Sequence, residues 1–187
     1  MTASAQKVRV WIAASADGYI ATADGGIAWL DAFNARDPAG LQAAFDGFIA
    51  DIGAIVMGRS SFEKVLTFGA WPYGSRPAFI VTSRPIPGDA PFVRGTGSDM
   101  PDIIARAKQA CSGKGPGHVW VDGGGITISG LIDAGLIDEL DVLCLPVLLG
   151  NGIPLFPPSG RAPVVFTSIE SRPGLLGGTW LRLNFKT

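Results

Sequence analysis

Ala54-Ile55-Val56-Met57-Gly58-Arg59-Ser60-Ser61-Phe62-Glu63 runs from an apolar segment into a glycine, then an arginine and two hydroxyl residues, then a helical pattern. Such a pattern reads as a buried strand that feeds a helix N-terminus. Backbone N–H groups at that junction point outward, and the helix dipole favours an anion there. Gly58 allows close approach of a ligand to the backbone. Arg59 can fork onto phosphate oxygens. Ser60 and Ser61 add small hydroxyl donors. The stretch is therefore read as a phosphate-binding corner of an α/β sheet.

Working outward from it, strands and helices alternate for three quarters of the chain. Residues 7–14 form a first strand, broken at Ser15-Ala16-Asp17-Gly18. Asp37-Pro38 is a helix start, with Asp as the cap and Pro at the first helical position. Leu41, Ala44, Phe45, Phe48 and Ile49 keep one apolar face at helical spacing, and Gly53 closes that helix. Further strands are read at 55–57, 78–82, 91–94, 119–121 and 139–145, with helices at 60–66, from Ser98 or Asp99 through Cys111, and from the triglycine turn to Ala134. Residues 146–163 read as one long Gly/Pro loop, and 164–171 with 179–185 as a closing antiparallel pair. The order predicts one α/β domain over residues 1–187, with a mostly parallel sheet and an antiparallel C-terminal hairpin. Ligands of such sheets sit at the carboxyl ends of the strands, where the Gly58, Thr82 and Gly123 junctions all fall.

Composition narrows the function classes. The chain has 187 residues, 47% of them hydrophobic, and a net charge of -1. That supports a well-buried sheet and offers no basic field for nucleic acid or an anionic membrane. No apolar run reaches the roughly 20 residues of a membrane span, and Met1 to Gln6 has no apolar leader core, so a cytoplasmic location is expected. Cys111 and Cys144 lack metal or disulfide spacing and read as core thiols, and no metal site is expected.

Each motif has a plain reading beside the functional one. Gly123-Gly124-Gly125 leaves room for a pyrophosphate against backbone amides, or serves only close packing. It is not the Rossmann fingerprint, because Ile128 stands at the last glycine position, and Gly113-Lys114-Gly115 is not a Walker loop. Thr82-Ser83-Arg84 can hold a nucleotide phosphate or form a solvated turn before Pro85. His118 has no nucleophile partner at a suggestive spacing. Trp29 and Trp71 lie in loops and can stack on a ligand or anchor the core. Asp17, Asp31, Asp46 and Asp122 are candidate proton donors; Asp122 also reads as a cap of the helix after it.

Together Ser15-x-Asp17-Gly18-x-Ile20, Met57-Gly58-Arg59-x-x-Phe62-Glu63, Val81-Thr82-Ser83-Arg84 and Gly123-Gly124-Gly125, in this order before antiparallel C-terminal strands, resemble the dihydrofolate reductase superfamily. The closer branch is that of the reductase domain of bifunctional riboflavin biosynthesis enzymes. The resemblance spans Val8 to Phe185 and implies a three-layer sandwich and NADPH as cofactor. It implies that Arg59, with Ser83 beside it, takes the 2′-phosphate and that Ser60 and Ser61 take the pyrophosphate. Gly58, Thr82, Arg84, Asp122, Gly123, Gly124, Gly125 and Ile126 complete that wall, with Gly123-Gly124 as a turn that is often a cis peptide. Ala14 and Ile20 would frame the nicotinamide, and Trp29, Leu30 and Phe33 would line the substrate side.

The implied reaction is hydride transfer from NADPH to a C=N or C=O bond of a pterin-like or ribosylated pyrimidine substrate, as in a 5-amino-6-(5-phosphoribosylamino)uracil reductase. The carboxylate that folate reductases carry on the first helix is here Gln42, which cannot supply a proton; Asp31 and Asp46 are the nearby substitutes. Folate reduction and a catalytically silent NADP-binding protein are the alternatives. A homodimer is expected, from the family habit and from the apolar residues Leu143 to Leu149 and Leu155-Phe156.

Overall fold

The computed structural model describes residues 6–86, 90–111 and 117–185. All of the Met1 to Gln6 stretch but Gln6, and the Gly113-Lys114-Gly115 turn, lie outside the described residues. An eight-stranded sheet forms the middle layer. Its strands are β1 (Val8–Ser15), β3 (Ile52–Gly58), β4 (Ala78–Val81), β5 (Val93–Gly97), β6 (His118–Val121), β7 (Glu139–Leu145), β9 (Ser168–Pro173) and β10 (Thr179–Asn184). They lie in the order β5-β4-β3-β6-β1-β7-β10-β9. The first six in that row run parallel, and β10 pairs antiparallel with both β7 and β9. The fold is the expected dihydrofolate reductase-like α/β sandwich.

The helices follow from caps and stripes. Helix α2 (Pro38–Ile49) starts where Asp37 accepts a bond from the Gly40 N–H at 2.9 Å, and helix α4 (Met100–Ala110) where Asp99 accepts from Asp102 N–H at 3.0 Å. α4 and α5 (Gly125–Asp133) bury Ile103, Ala107, Ile128 and Leu131 against Val8, Val10, Ala54 and Val56 on one face of the sheet. α2 and α3 (Arg59–Leu66) bury Phe48, Phe62 and Val65 against Ile55, Met57, Ile80 and Trp120 on the other. β3 is buried at all seven residues, as a strand sandwiched between two helix layers must be. A short helix α1 (Asp31–Asn34) follows a 3-10 turn at Ala28–Leu30.

Several expectations are corrected. α2 ends at Ile49, and Gly53 lies inside β3, where an added Cβ would stand 2.8 Å from Cys111 Sγ. It is kept small by packing, not by a helix end. The loop from 146 to 163 contains β8 (Ile153–Pro154), paired with β2 (Tyr19–Ala21). The penultimate strand begins at Ser168 rather than 164. Leu143, Leu145 and Leu155, cited for a dimer surface, are buried within one chain, while Leu148 and Phe156 are exposed. Cys111 is buried as a core thiol, whereas Cys144 is only half-buried. No described helix is long and apolar enough to cross a membrane.

Candidate functional site

Register brings the sequence signals together. Gly58 stands opposite Val81, and Val56 opposite Val121, so β4, β3 and β6 end side by side. The Gly58-Arg59, Thr82-Arg84 and Gly123-Gly125 junctions therefore share one crevice. Arg59 Nε donates to Glu63 Oε1 at 2.7 Å, and its Nη1 donates to the Pro85 carbonyl at 2.6 Å. The guanidinium thus tethers the loop after β4 to the start of α3. Thr82 folds that loop locally, its Oγ1 accepting from Arg84 N–H at 3.1 Å. Ser60, Ser83 and Arg84 are exposed, and Ser61 and Thr82 half-buried.

The glycines fit close approach. A Cβ on Gly58 would stand 2.4 Å from Thr127 Oγ1, and one on Gly123 3.1 Å from Ser61 Oγ. Gly123 and Gly124 have φ of 89° and 78°, conformations that favour glycine. Their peptide is trans, not the cis form that the resemblance implied. α3 is capped by Gly58 and α5 by Gly124, neither with a side-chain cap bond. Free N–H donors and the positive ends of two helix dipoles therefore face the crevice. α2 and α4, by contrast, are closed by aspartates. A phosphate-bearing cofactor suits this donor set: backbone amides, the hydroxyls of Ser60, Ser61 and Ser83, and a guanidinium. Ile126 is 79% exposed on the first turn of α5, a flat apolar neighbour for such a group.

Asp122 does not cap α5. Its Oδ2 accepts the Tyr73 hydroxyl, and burial pushes its carboxyl up to about 6, against the opposing pull of that bond. Burial likewise raises the Tyr73 phenol, with the Asp122 charge adding to it. Asp17 is different: the Ser15 hydroxyl, with the Gly150 and Leu149 N–H groups, holds it below the usual carboxylate range. It bonds those two amides at 2.7 and 3.1 Å and so fastens the β1–β2 turn to the loop after β7. His118 is a buried structural residue whose Nδ1 accepts from Lys7 N–H at 3.1 Å.

Ala14, at the end of β1, is 3% exposed, and Ile20 packs on the same cluster from β2. Trp29, Leu30 and Phe33 gather with Leu143, Leu145 and Trp180 over the ends of β1 and β7. Trp71 packs in the core, its ring 4.9 Å from Tyr73 and 5.4 Å from Phe92. Asp31 and Asp46 are exposed, and Asp46 accepts from Gln42 Nε2 at 2.8 Å. Sequence reasoning missed Thr127 and Tyr73. A hydroxyl three residues after a glycine cap was a readable sign for Thr127; nothing local marks Tyr73, 49 residues from Asp122. A cavity of about 420 Å³ lies elsewhere, toward the amino ends of β1 and β7, between Arg9, Trp11, Phe48, Asp141 and Arg182. Arg9 and Arg182 there are paired with Asp141, whereas the crevice at the strand ends carries the helix starts without side-chain caps.

Known proteins resemble this chain in sequence or fold. A Bacillus subtilis (strain 168) relative, the uncharacterized protein YwjB, is 33% identical over 153 residues, 81% of this chain and 83% of its own. A solved structure from Shewanella sp. PV-4, provisionally named for riboflavin biosynthesis, has a TM-score of 0.82 at 29% identity, covering 97% of this chain and all of its own. Dihydrofolate reductase from Enterococcus faecalis, complexed with NADP(H), shares the fold with a TM-score of 0.63 at 19% identity, over 97% of both chains. The RibD C-terminal domain model matches residues 6–173, and the chain belongs to that family of reductase-like domains.

Proposed function

We propose that this protein is an NADPH-dependent reductase acting on a ribosylated pyrimidine of the riboflavin-precursor type. The observation that carries the reading is the pair of glycine-capped helix starts, α3 and α5, flanking Arg59 and the Thr82-Arg84 loop in one crevice. NADPH, when bound, supplies the hydride. The residues of the chain bind, orient and exclude water. Arg59 has a second terminal amine with no acceptor among the described residues, which suits a 2′-phosphate beside Ser83. Ser60, Ser61 and the amides of Gly123 to Gly125 suit the pyrophosphate. Ala14 and Ile20 border the reacting ring, and Trp29, Leu30 and Phe33 give the substrate side an apolar wall.

Asp122 is the residue assigned to hold the proton. It adjoins the triglycine turn, and burial lets its carboxyl keep a proton to about pH 6. Tyr73 is the titratable side chain in contact with it and fixes its orientation. Asp31 and Asp46 face solvent, which favours Asp122 over both. Gln42, exposed and bonded to Asp46, has no proton to give and so supports a substrate other than dihydrofolate.

The test is NADPH oxidation against a panel of ribosylated aminopyrimidines, dihydropterins and small carbonyls. Turnover of the ribosylated pyrimidine with kcat/KM at least tenfold above the others is expected. Tight NADPH binding without turnover of any of them would instead favour the silent NADP-binding alternative.

A further inference from the structure

The third glycine of the triglycine turn answers to the chain itself. A Cβ on Gly125 would stand 2.3 Å from the Pro154 carbonyl oxygen and 3.0 Å from that of Leu155. Both are backbone atoms, so β8 and the residue after it lie directly on the first turn of α5. Gly125, Ser129 and Asp133 recur every four residues and form one row along that helix. Arg161 meets the rest of the row. Its Nη1 donates to Ser129 Oγ at 2.6 Å and to Asp133 Oδ1 at 2.8 Å. Ser129 is buried in that contact. Residues 153–161 are thus a strap that touches the row at its first turn and at its last. The strap is also tied to the β1–β2 turn, where Leu155 N–H donates to the Gly18 carbonyl at 2.9 Å.

The sheet side of α5 is held differently. Ile128 and Leu131 are fully buried in the cluster that contains Val10, Val56 and Val121. Apolar burial is non-directional, whereas a hydrogen bond sets both a distance and an angle. Among the described residues, every side-chain hydrogen bond between α5 and another part of the chain comes from Arg161. The helix start that these bonds hold has no side-chain cap, and the N–H groups of its first turn are free for a ligand.

We propose that Arg161 is a positioning residue for the cofactor phosphates. Through the strap it fixes the place and tilt of α5, and so the aim of the Gly125, Ile126 and Thr127 N–H groups. Ser129 and Asp133 are the fifth and ninth residues of α5, so Arg161 acts through the helix rather than by contact with the phosphates. The small residues at the first two places of the row let the strap lie close. Charge-assisted bonds weaken steeply when distance and angle depart from the best. A helix free to shift therefore loses affinity for an anion while the chain stays folded. The inference rests on the proposed reading of α5 as a helix start that takes the pyrophosphate.

Calorimetry with NADPH and with adenosine 2′-monophosphate tests it. The monophosphate probes the Arg59 and Ser83 side alone. Arg161→Ala should weaken NADPH about tenfold or more, the order of one charged hydrogen bond, and change the monophosphate by less than about twofold. Arg161→Lys should recover most of the loss, because a single nitrogen makes both bonds. Ser129→Ala combined with Asp133→Ala removes the same two bonds from the helix side and should match Arg161→Ala. That pair keeps the test decisive if Arg161→Ala folds poorly. Unchanged NADPH affinity in these variants would overturn the positioning role. Equal losses for the two probes, the mark of a general loss of structure, would overturn it as well. A wild type that binds no NADPH would overturn the reading of the crevice itself, and the positioning role with it.

Discussion

The crevice at the ends of β4, β3 and β6 and the flank built by β1, β7 and β10 treat polar groups in opposite ways. At the crevice, helix starts are left to glycines, the Ser60 and Ser83 hydroxyls face solvent, and Arg59 keeps an amine without an acceptor among the described residues. On the flank, charges are closed on one another: Arg182 forks onto Asp141 at 2.7 and 2.8 Å, and Arg9 reaches Glu139 at 3.1 Å and Asp141 at 3.6 Å. Lys7 adds a further contact to Glu139. A buried charge left without its partner costs stability, so loss of one partner on the flank registers there. Open donors attract an anion, so the crevice suits the binding proposed for it. Changes on the flank should register in stability, and changes in the crevice in ligand affinity.

The largest effect is expected on the flank. Asp141→Ala leaves Arg9 and Arg182 without their shared partner and should lower stability by about 3–5 kcal/mol. Urea denaturation measures it, and a loss below 1 kcal/mol would show that the network is not closed as described. Next comes the pH response of Asp122. Its folded carboxyl titrates near 6, above its ordinary value, so the native state binds the proton more tightly than the unfolded chain. That contribution is complete below about pH 4, is lost as pH rises to about 6, and then is flat. It amounts to no more than about 3 kcal/mol. Asp122→Asn should remove this slope from the stability–pH curve; an unchanged slope contradicts the assignment.

Smaller effects belong to the crevice itself. Gly123→Ala places a side chain at φ of 89° and should cost about 1–2 kcal/mol of stability. It should also weaken NADPH binding, which calorimetry reads directly. Glu63→Gln releases Arg59 from an exposed i,i+4 pair. Stability should change by only a few tenths of a kcal/mol, while NADPH binds slightly tighter as a nearby negative charge is removed. Weaker binding would mean that Glu63 is needed to aim the guanidinium.

Legibility in the sequence followed locality. The β3–α3 junction was readable because an apolar run, a glycine and a helical stripe are consecutive. The start of α2 was readable because Asp37-Pro38 carries both a cap and a fixed φ. The β2–β8 ribbon was not, since strands of three and two residues have no periodicity to detect. Gly53 was misread because a glycine that lets Cys111 approach looks, in sequence, like one that ends a helix. The crevice was largely legible because each of its pieces lies at a strand end. The Tyr73–Asp122 pair was not, because it exists only once β6 and the 71–76 loop are packed together. The antiparallel hairpin at the C-terminus was foreseen, but the exposure of every residue of β9 was not, since exposure of a whole strand depends on what does not lie beside it.

In the proposed function, Arg59 and the two open helix starts hold NADPH by its phosphates. Calorimetric titration of NADPH and NADH into the wild type and Arg59→Ala tests it most directly. Arg59→Ala should lose about 1.5–3 kcal/mol for NADPH, the value of a charged hydrogen bond, and much less for NADH. Equal losses for the two cofactors would contradict it.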